Sequence, residues 1–488
     1  MKLKLLYKYL PLVIALILLG TLPGNPFVSA TGTPDPAFYN VKDYGATGNG
    51  YTDDTVAIRS AISAAANGGV VFFPDGSYVL KNQSSTETEL LLLTNSVRLL
   101  GTGFQSRLVV DNNVPNTVDV VKIRPPATNE GYLYSIEAII FSVQPGDFPL
   151  KSIRVKPARH GIYLDTPTAS QKISQLLIRH NSITEYGGEA IYLNSPAGVN
   201  GLSNAAIENN AFNGSVNLIN AGSNIQITGN TLTGLKKGIV LKHGTGASHA
   251  VISYNNITAK MGAIKVTGGD QIKILYNQME QNQVNKEPLA EDRVMIDLEG
   301  QSGSPIQNTE IIGNNVNGHQ GNSDLENNIR LEYATNTKIY DNVIGQGVGD
   351  VIHIASSSEG TDIGTNTIFG PAPNIVDLGV GTIGLKKSAT LLNSWVNYDS
   401  LGWEGASYIK EGNGIVHLGG MIKNGTAAAG TVLFQLPEPY RPLKARKFRV
   451  ASSAAGVSEI EVQPDGDVVL NSGTNTYVSL NGISYTVR

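Results

Sequence analysis

The chain of 488 residues contains no cysteine. Disulfides, thiolate chemistry and a lipid-anchored cysteine are therefore excluded. Charge is also scarce: Asp, Glu, Lys and Arg make up 16% of the residues, and the formal net charge is −4. A net acidic protein is poorly suited to holding nucleic acid, so that partner class is set aside. Histidine is limited to seven residues, none in a His-Glu-x-x-His or similar ligand spacing. That argues against metal-catalysed chemistry, and no resident metal is expected. No glycine-rich phosphate loop stands between a strand and a helix; the glycines read as turn residues. Only one apolar run is long, Leu10 to Leu22, with Lys2, Lys4 and Lys8 before it and the small-residue site Val28-Ser29-Ala30 after it. The pattern predicts a secretory signal peptide over 1–30, not a membrane span. Its three lysines and lack of carboxylates mean that cleavage takes the net charge from −4 to −7. A secreted, extracellular protein with no membrane partner is expected.

What the chain has in abundance is a repeated asparagine. Asn181, Asn210, Asn230, Asn255, Asn277, Asn314, Asn342 and Asn366 each stand two residues before an apolar one, at steps of 29, 20, 25, 22, 37, 28 and 24. Most are followed nine or ten residues later by a short alternating strand, such as AIYLN, GIVLK, AIKVT or VIHIA. A repeat of this length with one strand motif per unit predicts a solenoid. The apolar period of two makes it all-β. Stacked coils bring asparagine above asparagine, so their amides can hydrogen-bond from coil to coil.

Ahead of the repeat, residues 39–80 predict a helix from an N-cap at Thr52 or Asp53 to about Ala66, stopped by Asn67-Gly68-Gly69. A strand over Val70–Phe73 then starts the stack. The phrase V-K-D-Y-G-A-x-G-N-G-x-T-D-D-T-x-A-I, followed by G-G-V-V-F-F-P-D-G-x-Y, resembles the opening segment of secreted right-handed parallel β-helix proteins of the pectate-lyase type. The resemblance implies that the helix caps the first coil and covers its open edge. It speaks for fold more than for function, because lyases, hydrolases and phage tail spikes share it. Asp53 and Asp54 read as helix-capping residues in preference to a catalytic pair.

After residue 387 the asparagine pattern ends. Aromatic and β-branched alternation with turns at Glu411-Gly-Asn-Gly414 and Asp465-Gly-Asp467 predicts a small β-sandwich. The expected organisation is a signal peptide over 1–30, a β-helix over 31–387 and a β-sandwich over 388–488. Gly414–Met421, Leu436–Pro442 and Leu480–Ser484 resemble C-terminal modules of bacteriophage appendage proteins. That resemblance implies glycan binding or a supporting role in assembly.

The alternation in GIVLK points Ile239 and Leu241 inward and Val240 and Lys242 outward. The same phase gives two outward columns. The first is Tyr163, Tyr192, Asn217, Val240, Lys265, Asp297, Arg330, His353 and Asp377; the second is Asp165, Asn194, Lys242, Thr267, Glu299 and Glu332. Cations thicken in the middle, where Lys236, Lys237, His243 and Lys260 join Lys242 and Lys265. The ladder-to-strand gap widens to 19 residues before Ile296 and to 15 before Ile329, placing insertions at Gln281–Asp292 and Gly318–Asn327. Long loops on one edge of a repeat array suit a binding groove. A basic, tyrosine-flanked stripe on an acidic protein suggests a linear anionic ligand, an acidic polysaccharide.

Cleavage of a uronate polymer by β-elimination needs a cation for the carboxylate, a base for the C5 proton and an acid for the leaving O4. Lys242, Lys265, Tyr192 and Tyr186 are the catalytic candidates. A lysine base needs a depressed pKa, which neighbouring cations and partial burial provide. Lys237, His243, Asn217, Arg330, His353 and Tyr163 are the substrate-binding candidates, although an ion pair with Asp297 serves equally for Arg330. The superfamily resemblance implies the same layout, and alginate lyases of polysaccharide lyase family 31 are the nearest fit. No cofactor is required; Ca²⁺ held by the acidic cluster is an option. Two alternatives stand beside this: a glycoside hydrolase using Glu299 and Glu332, and a non-catalytic glycan-binding appendage protein. A soluble enzyme fits a monomer, an adhesin a trimer.

Overall fold

The computed structural model describes residues 37–66, 68–127, 132–144, 156–184, 186–281, 293–318, 327–345, 350–369, 375–398, 402–453 and 456–487. The expected signal peptide and the bulk of both predicted insertions lie outside these residues.

Two parallel sheets, of 14 and 21 strands, build the solenoid. Each coil gives one strand to the smaller sheet, the back sheet. It then turns through the asparagine and gives two to the larger one. We call these the ladder strip, directly after the asparagine, and the outer strip, beyond a bend. In the coil of Asn230, the back strand is Ile225–Thr228 and a single bent strand, Thr231–His243, supplies both strips. Inward positions are occupied by Ile, Leu and Val, almost all without exposure, in one continuous core. The expected parallel β-helix is thus the observed architecture.

The asparagines form one unbroken ladder. Each Oδ1 accepts from the backbone N–H and the Nδ2 of the asparagine one coil earlier, as Asn210 does from Asn181 at 2.9 and 3.1 Å. The pattern runs through Asn230, Asn255, Asn277, Asn314 and Asn342 to Asn366. The remaining amide proton goes to a backbone carbonyl, as from Asn314 to Ile274 at 2.8 Å. The residue before the asparagine adopts a left-handed conformation in His180, Asn209, Gly229, Tyr254, Tyr276, Gly313 and Asp341. That twist turns the chain and sends the amide inward.

The helix, α1 (Thr55–Ala64), packs Ile58, Ala61 and Ile62 on the first coil. Its N-cap is Asp54, one residue beyond the predicted range. Thr52 and Asp53 belong instead to the strand Asn49–Asp53, which pairs with Gly76–Leu80. The Asp53 carboxylate accepts from Thr55 N–H at 3.0 Å, and buried Asp54 accepts from Thr47 and Gly48 N–H at 2.6 and 3.1 Å. Both aspartates are structural.

Residues 387–486 form two antiparallel sheets, of four and seven strands. Tyr408, Val416 and Ile483 of one and Phe434, Ile460 and Leu470 of the other share a core with Trp395 and Tyr440, so this part is a β-sandwich. Lys387 Nζ reaches Asp377 at 2.6 Å, and the Tyr440 hydroxyl donates to Thr382 O at 2.6 Å. These contacts join the sandwich to the last coil.

Candidate functional site

Backbone pairing on the outer strip tests the columns directly. Lys122, Tyr163, Tyr192, Asn217, Val240, Lys265, Asp297, Arg330 and His353 are consecutive partners. The next partner of His353 is Val376, not Asp377, which stands beside Ile354. A slip of one residue moves a side chain to the other face, and Asp377 is accordingly buried against Lys387. In the second column the partners are Asp165, Asn194, Ile219, Lys242, Thr267, Glu299 and Glu332.

The C-terminal half of this face is an ion-pair ladder. Arg330 grips Asp297 with two hydrogen bonds of 3.0 Å. Lys265 Nζ lies 3.3 Å from Asp297 and also binds the Glu299 carboxylate. Burial alone would lower the Lys265 pKa, but the hydrogen bond to Glu299 and the charges of Asp297 and Glu299 leave it raised. Lys265 is thus a fixed cation, contrary to its reading as a base. Arg330 has the ion-pair role that the sequence left open. His353 Nδ1 is 2.9 Å from Asp350. Glu299 and Glu332 are register partners, with Glu299 committed to Lys265.

Two candidates are interior. Tyr186 is 2% exposed within the core, where a substrate on the surface does not meet it. His243 is 6% exposed, with Nδ1 3.1 Å from Gly222 O. Burial pushes its pKa down to about 4, so it is neutral at neutral pH and is no anion-binding cation. His243 ends the strand Thr231–His243, where alternation turns it inward with Ile239 and Leu241, and Tyr186 lies between strands. Lys242 is exposed at the face, opposite Thr267, and Lys237 sits at the bend opposite Gly262.

The N-terminal half is different. His160, Tyr163 and Tyr192 stack nearly parallel, with His160 to Tyr192 centroids at 4.8 Å and Tyr163 to Tyr192 at 5.9 Å. The Arg159 guanidinium lies 4.9 Å and the Lys122 ammonium 5.4 Å from the Tyr163 centroid. Asp119 fixes Arg159 through bonds of 2.9 and 2.7 Å. Asn194 donates to the Tyr163 hydroxyl at 3.3 Å.

Glu189 engages His160 Nδ1 twice, by its carboxylate at 3.0 Å and its backbone N–H at 3.2 Å. The carboxylate suits a proton on Nδ1, and the N–H suits a lone pair there. Both neutral tautomers of His160 therefore have a partner. Burial would raise the Glu189 pKa, but the hydrogen bond and charge of His160 hold it below the usual range. Burial and then the Glu189 charge raise the Tyr192 pKa, against a smaller opposing pull from Arg159. Tyr192 stays a protonated phenol at neutral pH. Its hydroxyl has no protein partner among the described residues.

Sequence reasoning missed His160, Glu189, Arg159 and Lys122. It also missed Lys156, whose pKa is lowered by burial and by the nearby charge of Lys260. That is the environment sought for Lys242 and Lys265. The available signal was the Arg159-His160 pair at the bend just before Ile162–Asp165. Among the described residues no group of three or more His, Asp or Glu side chains converges to hold a metal ion. Nor is any helix there long and apolar enough to cross a membrane.

A family model described as rhamnogalacturonase A/epimerase, pectate lyase-like, matches residues 38–265. That stretch runs from ahead of α1 to Lys265 and includes the aromatic stack. Alginate lyase 7 of Azotobacter vinelandii is 41% identical over 73 residues, 14% of this chain and 8% of that protein. The chain thus matches less than a tenth of the length of that curated relative. Two solved structures are similar to this chain. The A-module of mannuronan C-5 epimerase AlgE6 from A. vinelandii has 18% identity and a TM-score of 0.40 over 71% of this chain and all of that one. PfbA, a surface adhesin of Streptococcus pneumoniae, has 15% identity and a TM-score of 0.46 over 77% and 97%.

Proposed function

We propose that this pectate-lyase-like β-helix protein is a secreted polysaccharide lyase, cleaving a uronate polymer such as alginate by β-elimination on the outward face around Tyr192. The observation that carries the reading is the Tyr192 phenol. It is held protonated, has no protein partner among the described residues, and lies in a stack flanked by ion-paired cations, Arg159 with Asp119 and Lys122 with Glu89. Elimination needs a donor for the departing O4, and a phenol that is protonated at neutral pH carries the proton to give.

The other roles follow from position. Burial and the charge of Lys260 lower the Lys156 pKa, the direction that abstraction of the C5 proton calls for. Lys242 is exposed and makes no ion pair among the described residues. It stands two coils beyond Asn194, roughly 10 Å along the stack, where it would bind the carboxylate of a flanking sugar. His160, stacked against Tyr192 and held at Nδ1 by Glu189, positions the phenol ring. Calcium would add a further neutralising charge.

Ultraviolet absorbance of the full chain with alginate, polygalacturonate and hyaluronate, each with and without a chelator, tests the proposal. A rise in absorbance marks the conjugated double bond that elimination leaves. Tyr192→Phe should lower kcat at least about 100-fold with little change in KM. New reducing ends without absorbance would move the chemistry to hydrolysis, and neither signal would leave a glycan-binding protein. Unchanged kcat in Tyr192→Phe would remove Tyr192 as the acid.

A further inference from the structure

We propose that Tyr254 and Tyr276 form a second polysaccharide-binding platform, on the corner where the asparagine ladder turns and apart from the face around Tyr192. Its ligand class is a polysaccharide chain bound through the C–H faces and hydroxyls of its pyranose rings, with no requirement for charge.

The two rings stack at 5.3 Å between centroids, 18° from parallel, yet stay 63% and 51% exposed. Both residues have a φ of 54°, in the left-handed region. That conformation disfavours a bulky side chain and suits Gly, Asn, Asp and His. The neighbours in the same column obey this preference: His180, Asn209, Gly229, Gly313 and Asp341. Two adjacent tyrosines at this position are therefore held against local backbone preference. Their N–H groups are anchored to Leu275 O and Ile312 O, each at 3.0 Å. An observed outlier of this kind is a pointer to function.

The surroundings match a sugar. Gly313 follows Tyr276 in the column, and a Cβ there would lie 2.4 Å from Cδ1 and Cε1 of the ring. Glycine is what lets the ring lie down on the next coil. Beside the rings, Thr231, Asn256 and Gln278 form an exposed outward row in register. Hydroxyl and amide groups one coil apart offer donors and acceptors for sugar hydroxyls, and the row carries no charge. The nearest back-sheet cation, Lys273, is paired with Glu310 at 3.3 Å. An aromatic pair with an uncharged hydrogen-bonding row contrasts with the ion-paired face around Tyr192.

The test is affinity electrophoresis of the full chain in the cold, through gels holding alginate, polygalacturonate or a neutral glucomannan, at low and high salt. Wild type should be retarded in at least one gel, and the retardation should persist at high salt, where charge-driven binding is screened. Tyr254→Asn/Tyr276→Asn should weaken it about tenfold. The thermal midpoint should stay or rise, because Asn accepts the left-handed conformation. Tyr254→Phe/Tyr276→Phe, which keeps the rings, should retain most of the retardation. The proposal is overturned by no retardation of wild type, by its loss at high salt, by equal retardation of the Asn variant, or by a lower midpoint in that variant. Binding is read without turnover, so the outcome is separate from that of the lyase reading.

Discussion

His243 gives the sharpest link from structure to a solution measurement. Its ring is buried, bound at Nδ1 to Gly222 O and covered by Gly269, where a Cβ would lie 2.6 Å from Cδ2. Its pKa of about 4 is below the 6.5 of the unstructured residue. Between those values the unfolded chain takes up a proton that the folded chain refuses. Stability from this residue is therefore fully present above about pH 6.5 and is lost as pH falls toward 4. Each pKa unit corresponds to about 1.4 kcal/mol, so the loss is about 3 kcal/mol. Urea midpoints at fixed pH steps from 7 to 4 measure it, with His243→Gln as the reference. Glutamine keeps a neutral amide that can donate to Gly222. Carboxylates such as Glu137 and Glu189, which have depressed pKa values, lose their own contribution at lower pH in both proteins. The difference between the two curves isolates the histidine. The wild-type curve should fall more steeply by about 3 kcal/mol over that window. Parallel curves would refute the reasoning.

Two further predictions concern the two ladders. Asn314→Ala removes bonds at 2.9 and 3.0 Å from Asn277 and at 2.8 and 3.0 Å to Ile274 and Asn342. It strands buried partners on three sides and should cost about 3 kcal/mol or more, read from the urea midpoint. Lys265→Met should leave turnover within about twofold of wild type and cost about 1 kcal/mol, since the pair is partly solvent-screened and Arg330 still holds Asp297. A tenfold fall in kcat with an unchanged urea midpoint would show that Lys265 takes part in the chemistry.

The sequence made the coil register legible because one side-chain chemistry, the inward amide, recurs at every turn. Strand alternation then placed Tyr163 through His353 correctly on the outer face. The rule failed where it had no strand to act on. Tyr186 lies between strands, with no alternation to read; His243 ends its strand, and the alternation that turned Ile239 and Leu241 inward turns it inward too. Asp377 was misplaced because the stretch 370–374 before it carries no repeat to count by. Lys265 was misread for another reason. Its ion pair with Asp297 was implied by the same column that paired Asp297 with Arg330, but opposite charges were weighed for one neighbour only. His160 was passed over because it precedes its strand, although the stack it joins is the most concentrated chemistry on the face.

The placement of the site along the solenoid follows from charge order. From Lys265 through Asp297 to Arg330 the signs alternate at each coil, so the fields of adjacent side chains cancel within one strand spacing. A polyanion gains nothing there without first breaking an ion pair. From Tyr163 through Tyr192 and Asn217 to Val240 the column holds no fixed charge. The cations lie beside that stretch, at Lys156, Arg159, Lys242 and Lys260. Arg159 is neutralised by Asp119, so the exposed Lys242 is the margin charge that would draw an anionic chain toward the neutral column. Burial and the Glu189 charge raise the Tyr192 pKa, while burial and the charge of Lys260 lower that of Lys156.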